Sequence, residues 1–280
     1  TLNYEAVSFW KSQGVERVVL AREMSKNEIK EIIDKTGMEI ETFVHGAMCS
    51  SYSGRCVLSN YFTKRDANRG GCAQICRWEF PLYDKNNNMI ESETKFTASS
   101  KDLMMLTKVK EMIEIGIVSL KVEGRMRSNY YVATVINTYR NLIDDYYENK
   151  LTEEKVEYYQ KILDRVANRE ATVQFWDKLP TVNEQYYLGR NEVSNQDFLG
   201  IVKDYDETTN MVTITERNYF QTGDEVEIFG PNIKPFSLKM PDIYNEDGEK
   251  VNIGRHPEEI LKFKLDKKVY PNDMIRIKIS

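Results

Sequence analysis

The sequence predicts an α/β region followed by a small antiparallel β-barrel domain, and three observations carry that expectation. Up to about residue 175, short apolar runs alternate with stretches whose apolar residues recur at three- and four-residue spacing, the order that builds parallel strands covered by helices. From Leu179 the period changes: FLGIVKDYDETTNMVTITERNYFQTGDEVEIF consists of short alternating runs broken by turn residues. Within the first of these regions sits a window from Glu41 to Trp78 that holds all four cysteines of the chain. The expected division is 1–175 and 176–280, with a linker over 168–182.

Residues 15–21 (VERVVLA) read as a short buried strand that ends in polar Arg22 and Glu23. Ser25 with Glu28 is a capping-box pair, so a helix begins there, with Ile29, Ile32 and Ile33 on one face and Gly37 as its stop. Residues 38–45 (MEIETFVH) form the next strand and complete a βαβ unit, right-handed by default. From Cys49 to Cys76, loop and short helical turns are expected, and DKNNN at 84–88 marks a turn. A helix is expected from Ser100 to Glu114, with Leu103, Leu106, Val109, Met112 and Ile113 inward and Gly116 ending it. Residues 117–122 (IVSLKV) make the third strand. A long amphipathic helix over 129–148 carries Val132, Val135, Ile136, Tyr139, Leu142 and Ile143 on one stripe, and Thr152 caps a further helix to about Ala167. A complete (β/α)8 barrel needs about 250 residues, so three parallel strands amount to part of a TIM-like parallel α/β barrel.

Composition bounds the function classes. The mix of 41% hydrophobic and 30% charged residues is that of an ordinary globular chain, and 280 residues allow two domains. No apolar run approaches the roughly 20 residues of a membrane span, and no secretory segment is present. A cytoplasmic, reducing compartment is therefore expected, which counts against disulfides. A net charge of −5 excludes a global basic footprint for nucleic acid. Locally the balance reverses: Arg55, Lys64, Arg65, Arg69 and Arg77 face only Asp66 and Glu79, and Lys121, Arg125, Arg127 and Arg140 face Glu123. Such segments grip phosphates or form a solvated surface.

The cysteines Cys49, Cys56, Cys72 and Cys76 stand in a C-x6-C-x15-C-x3-C array, with His45 four residues ahead and Gly54, Gly70 and Gly71 between. Soft thiolates select zinc, Cu(I) or iron–sulfur clusters. Zinc knuckles use two tight pairs, and the wider gaps here suit a larger ligand such as a 4Fe–4S cluster somewhat better, with zinc, two disulfides or free thiols as the other readings. Residues just past the carboxyl ends of parallel strands face the working crevice, which brings forward Arg22, Glu23, His45, Glu123 and Arg125. His45, Glu41 and Glu123 are the candidate catalytic groups. Arg22, Glu23, Arg125 and Arg127 are the candidate substrate-binding groups, the arginines as clamps for a carboxylate or phosphate. Against this stand a hydrogen-bonded structural histidine and ion pairs among Arg22, Arg125, Arg127, Glu23, Glu41 and Glu123. The tyrosines of the long helix read as packing and surface. A protease mechanism finds neither an H-E-x-x-H helix nor a G-x-S-x-G elbow, and a Cys–His dyad would take a cysteine out of the array.

The run Glu41-Thr-Phe-Val-His-Gly-Ala-Met-Cys49, with Ser53-Gly-Arg-Cys56 and Leu58-Ser59, resembles the motif of the collagenase-like peptidase family U32. Arg65-Asp-Ala-Asn-Arg-Gly70 and Cys72-x-x-x-Cys76-Arg77-Trp78 resemble the branch that hydroxylates tRNA at the wobble uridine, and the blocks Asn3–Glu23 and Val122–Ser128 agree. Residues 180–280 resemble the small β-barrel that closes such proteins. The resemblance implies an iron–sulfur RNA hydroxylase with tRNA as partner and prephenate or a related metabolite as co-substrate, or, under the older description, a collagenase-like peptidase. It also implies that a segment of roughly half a barrel, the N-terminal half of the same barrel, normally precedes Asn3. A third reading is a non-catalytic RNA-binding scaffold in which the metal only staples the fold.

Overall fold

Ser25 and Gly37 frame a helix as their chemistry requires. The Ser25 hydroxyl accepts from the Glu28 amide, the Glu28 carboxylate accepts from the Ser25 amide, and Gly37 closes the last turn at φ +56°. This helix, α2 (Lys26–Thr36), follows α1 (Tyr4–Ser12) and β1 (Arg17–Val19) and leads into β2 (Glu39–Gly46). The computed structural model describes residues 1–52, 55–91, 96–125, 127–166, 169–186 and 196–279. Ser53 and Gly54 of the cysteine motif, Met126, and Ala167 and Asn168 of the expected linker lie outside them.

The chain divides into two compact units. The first comprises Thr1–Met126 with Ala167–Val193, the second Arg127–Val166 with Ser194–Ser280. This differs from a simple break at 175/176: the helices of 127–166 cluster with the later strands, and 176–193 with the earlier ones.

In the first unit β2 is the organising strand. It pairs in parallel with β1 (Val18↔Ile40) and with β4, Ser119–Val122 (Thr42↔Leu120), so the three expected parallel strands are present. Its end pairs antiparallel with β3, Asp102–Met104 (His45↔Met104), and β3 pairs in parallel with β5, Ala171–Thr172. The expected helix over 100–114 is therefore corrected. Residues 102–104 are buried strand, a 3₁₀ turn spans 106–108, and helix α4 runs only from Val109 to Glu114. The apolar run L-M-M-L fits a buried strand as well as a helix face, and the sheet decides it, since Met105 N donates to the Val44 carbonyl at 2.9 Å. The antiparallel β3 also departs from the all-parallel order of a (β/α)8 barrel.

Ile40 and Val44 of β2, Ile29 and Ile32 of α2, and Val109 and Met112 of α4 are all buried in the core of this unit. Each such side chain contributes about 1.5–3 kcal/mol. At the periphery, Glu111 of α4 accepts from Lys26 of α2 at 2.8 Å, from Trp176 Nε1 at 3.3 Å and from Lys108 at 3.3 Å.

The second unit begins with helix α5 (Asn129–Tyr147) and helix α6 (Glu153–Val166). The expected stripe on α5 is rotated. Tyr130, Tyr131, Thr134, Thr138 and Asp145 are buried together with Val135, Tyr139 and Leu142, while Val132 and Ile136 are 36% and 49% exposed. The helix packs against more than one neighbour: Tyr130 stacks on Phe198 at 4.7 Å, and Asp145 accepts from Tyr159 of α6 at 2.7 Å.

Strands β6 (Phe198–Asp206), β7 (Met211–Glu216), β8 (Phe220–Gln221), β9 (Glu225–Gly230), β10 (Ile233–Lys239), β11 (Ile243–Tyr244), β12 (Lys250–Val251), β13 (Ile253–Gly254), β14 (Ile260–Lys264) and β15 (Met274–Ile277) follow. Eight of them form one sheet in the order β10-β9-β15-β6-β7-β14-β11-β12, and β8 pairs with β13. The pairings are antiparallel, as the alternation predicts. Among the described residues no pairing joins β10 to β12, so the unit is an antiparallel sheet domain. A buried pair, Arg276 Nη2 to Glu227 Oε2 at 2.7 Å, is completed by Tyr158 of α6, which donates to Glu227 at 2.5 Å.

The Glu111 carboxyl is held down from 4.5 to about 2, first by the hydrogen bond from Lys26 and then by those from Trp176 and Lys108, against a burial effect that works the other way. A carboxyl depressed in the folded state contributes stability fully above its unfolded pKa and loses it as pH falls through the folded one. Glu111→Gln should therefore cost about 1–2 kcal/mol above pH 5, after allowance for screening of this partly exposed group. The difference between wild type and variant should shrink to nothing as pH falls from about 4.5 towards 2, as read by urea unfolding across that range.

Candidate functional site

β2 ends at a close contact. Gly46 has φ +113°, and a Cβ there would meet the Glu123 carbonyl oxygen at 2.4 Å and the Glu123 Cβ at 2.9 Å. Only glycine allows both the conformation and the approach. The loop after β4 is fixed against it: Glu123 N donates to the His45 carbonyl at 2.9 Å, and Glu123 Oε2 accepts from Ala47 N at 3.4 Å. Arg22, just past β1, donates to the Ala47 carbonyl and stacks on Phe43 at 3.9 Å. Burial lowers its pKa, and Glu123, Cys49, Glu23 and Asp102 act on it in the opposite sense. The strand ends past β1, β2 and β4 thus converge beside Cys49, as parallel topology predicts.

Arg125 reaches from the same loop into the cysteine segment, where Nη1 donates to the Gly70 carbonyl at 2.6 Å. Helix α3 (Leu58–Thr63) and 3₁₀ turns at 67–69 and 75–77 form that segment, matching the expectation of short turns. Ser59, 1% exposed, ties its halves together: Oγ accepts from Ala73 N at 3.0 Å and donates to the Gly71 carbonyl at 3.4 Å. Asp66 caps the 67–69 turn, and its carbonyl accepts from Gly71 N at 2.8 Å.

All four cysteines are free thiols, Cys49 and Cys72 exposed, Cys56 and Cys76 half-buried. Although residue 49 is exposed as a whole, partial burial of its thiol pushes its pKa up, and the nearby charges of Cys76, Cys56 and Cys72 add to the rise. Partial burial acts likewise on Cys56, but the Ser59 and Leu58 amides and the Ser51 hydroxyl outweigh it and bring that thiol down. The array is thus close enough for its members to act on one another. Among the described residues no three His, Cys, Asp or Glu side chains stand at the distances of a single bound ion.

The remaining candidates are placed as follows. His45 is buried within β2 at 3% exposure. Glu41 accepts from Ser119 at 2.7 Å and Lys121 at 2.8 Å, and the Lys121 hydrogen bond leads in lowering its pKa, so its carboxylate serves an ion pair between β2 and β4. Arg127 belongs to the other unit and stacks over Tyr131 at 4.9 Å. Sequence reasoning passed over Asp102, because it lay in a stretch read as helix, and Arg169, which no motif marks.

The model of peptidase family U32 matches residues 1–186, and that of the family's C-terminal domain matches residues 194–276. The chain belongs to peptidase family U32. It is 48% identical to tRNA hydroxylation protein P1 of Bacillus subtilis, over 98% of this chain and 66% of that protein. Against tRNA hydroxylation protein P of Haemophilus influenzae the identity is 31%, over 90% of this chain and 65% of that protein. A collagenase of Porphyromonas gingivalis is 34% identical over 67% of this chain and 45% of its own length. The chain thus spans slightly under two thirds of the length of the two tRNA hydroxylation proteins. Among the described residues no helix is long and apolar enough to cross a membrane.

Gly46→Ala should destabilise the first unit by about 2–4 kcal/mol, combining a disfavoured φ with a backbone clash. Gly37→Ala, where the nearest atom is Lys11 Nζ at 3.9 Å, should cost only about 1 kcal/mol. Urea midpoints of the two variants test the contrast.

Proposed function

We propose that this chain is the cysteine-bearing part of an RNA hydroxylase that acts on the wobble uridine of tRNA in the cytoplasm, with prephenate or a related metabolite as co-substrate. The observation that carries the reading is the surface around the thiols, where exposed aromatic rings and cations are interleaved. Tyr52 is 62% and Tyr61 80% exposed, and the side chain of Arg69 is 88% exposed. Phe62 lies 6.2 Å from Trp78 and 6.1 Å from Phe80, with Arg55, Lys64 and Arg65 exposed nearby in the segment. Splayed bases of a single-stranded loop stack on such rings at about 1–3 kcal/mol each, while the cations hold phosphates. The relatives' names as tRNA hydroxylation proteins support the same substrate.

Cys49, Cys56, Cys72 and Cys76 are the residues that would hold an iron–sulfur cluster. Four free thiols within mutual reach suit it chemically. Sulfurs around one tetrahedral zinc stand roughly 3.8 Å apart, as Zn–S bonds of about 2.3 Å require, and ligands of a cluster stand farther apart. When bound, such a cluster supplies electron-transfer chemistry. The chain's own part is to pin the cysteine segment through Ser59 and Arg125 and to set Arg22 beside Cys49. The peptidase reading has less to work with, because His45 is enclosed in the sheet and Glu41 is held in an ion pair.

Anaerobically purified protein should carry about four irons per chain with matching sulfide, and Cys56→Ala should lose both. Stoichiometric zinc without iron would sink the cluster. Mass spectrometry of nucleosides from cells lacking the full-length protein should show loss of a hydroxylated uridine that wild type restores and Cys49→Ala does not, with Tyr61→Ala/Phe62→Ala restoring it only partly. Unchanged modification, together with cleavage of denatured collagen by the purified protein, would favour the peptidase.

A further inference from the structure

Asp102, at the start of β3, is 6% exposed and receives two guanidinium groups. Arg169 Nη1 lies 3.4 Å and Arg77 Nη2 3.8 Å from its Oδ1, with the two arginine side chains only 9% and 11% exposed. Arg169 keeps both Nε and Nη1 buried without a hydrogen-bond acceptor. So does Ser100 Oγ, two residues before the aspartate. Glu170, next to Arg169 in the chain, is engaged by Lys101 at 2.6 Å.

Among the described residues this carboxylate pairs with two cations, and buried charge is stable only when it is matched and hydrogen-bonded. Each buried donor left without an acceptor costs about 1–3 kcal/mol; Asp102 Oδ1 also lacks a hydrogen bond and faces Arg169 Nη1, so the groups still wanting a partner are Arg169 Nε and Ser100 Oγ. The frame that holds them is well bonded: Asp102 N donates to the Glu170 carbonyl at 2.9 Å, Lys101 N to the Glu184 carbonyl at 2.9 Å, and Gln174 Nε2 to the Lys101 carbonyl at 2.8 Å. The donors therefore stand preorganised.

We propose that Arg169 and Ser100, with Arg77 across Asp102, form a binding site for a small oxyanion, the carboxylate or phosphate group of a small molecule. A guanidinium offers coplanar N–H donors suited to such oxygens, and a serine hydroxyl adds a further donor. Enclosure limits the ligand to a small molecule, because a polynucleotide backbone tracks open grooves. Arg77 directly follows Cys76, so the site adjoins the thiol array along the chain. The inference does not depend on the RNA reading.

The test follows thermal unfolding of the purified chain against orthophosphate and, separately, benzoate, with ionic strength held constant by chloride. Wild type should show a saturable stabilisation by at least one of them, and the stronger identifies phosphate or carboxylate as the group recognised. Arg169→Lys, which keeps the charge but loses the planar donors, should weaken the apparent affinity about tenfold. Ser100→Ala should weaken it about threefold, and decides the matter if Arg169→Lys fails to fold. Lys30→Gln, on the exposed face of α2, should bind as wild type does. Absence of saturable stabilisation by either anion overturns the site, as does an apparent affinity unchanged in Ser100→Ala or lost in Lys30→Gln.

Discussion

The close approach of Glu123 to Gly46 is the contact on which the candidate site rests. At φ +113° Gly46 lets the β4 loop lie against the end of β2 at a distance that no side chain permits. From that contact follow the two hydrogen bonds that lock Glu123 to His45 and Ala47. The Ala47 carbonyl, so placed, receives Arg22, and the β4 loop carries Arg125 to the Gly70 carbonyl. Three strand ends and the cysteine segment are thereby tied by backbone acceptors, which hold position more tightly than pairs of long side chains.

Charge is handled differently in the two units. In the second, Arg276 and Glu227 are nearly sealed from solvent, and Tyr158 completes the carboxylate while Phe229 lies 4.5 Å beneath the guanidinium. Such a pair offsets its desolvation only through added hydrogen bonds, and here they also tie α6 to the sheet. Arg276 nonetheless keeps Nη1 without an acceptor, as Arg169 of the first unit does. Arg22 rests on a carbonyl and a ring, and Arg169 keeps two nitrogens unpartnered.

The parts legible in the sequence were those set by local chemistry. The Ser25–Glu28 box, the Gly37 stop, the three parallel strands and the change of period after Leu179 all state their physics within a few residues. The cysteine array was visible because four thiols in one window are rare in chance sequence. What sequence could not settle came from partners distant along the chain. Asp102-Leu-Met104 became a strand because the end of β2 left an edge for it. The buried face of α5 turned because α6 and Phe198 claimed Tyr159–Asp145 and Tyr130 contacts that no single-helix pattern contains. Glu41 passed from candidate catalytic group to ion pair because Lys121 of β4, two residues beyond its register partner Ser119, reaches it.

The thiols and the arginines pose one electrostatic problem. Metal ligation requires thiolates, yet burial and the nearby charges of Cys76, Cys56 and Cys72 all resist ionising Cys49. Four adjacent anions cannot persist without positive charge close by. Arg22 supplies part of it: its guanidinium is partly buried, fixed on Phe43 and within range of Cys49, where a charge acts through less screening than at the surface. Under the proposed ligation, iron would supply the rest, and Arg22 would then set how much negative charge the array retains. Arg22 is therefore better understood as a positioned counter-charge than as a free clamp for substrate. The clamp role falls to the donors that have no acceptor of their own, those of Arg169 and Ser100.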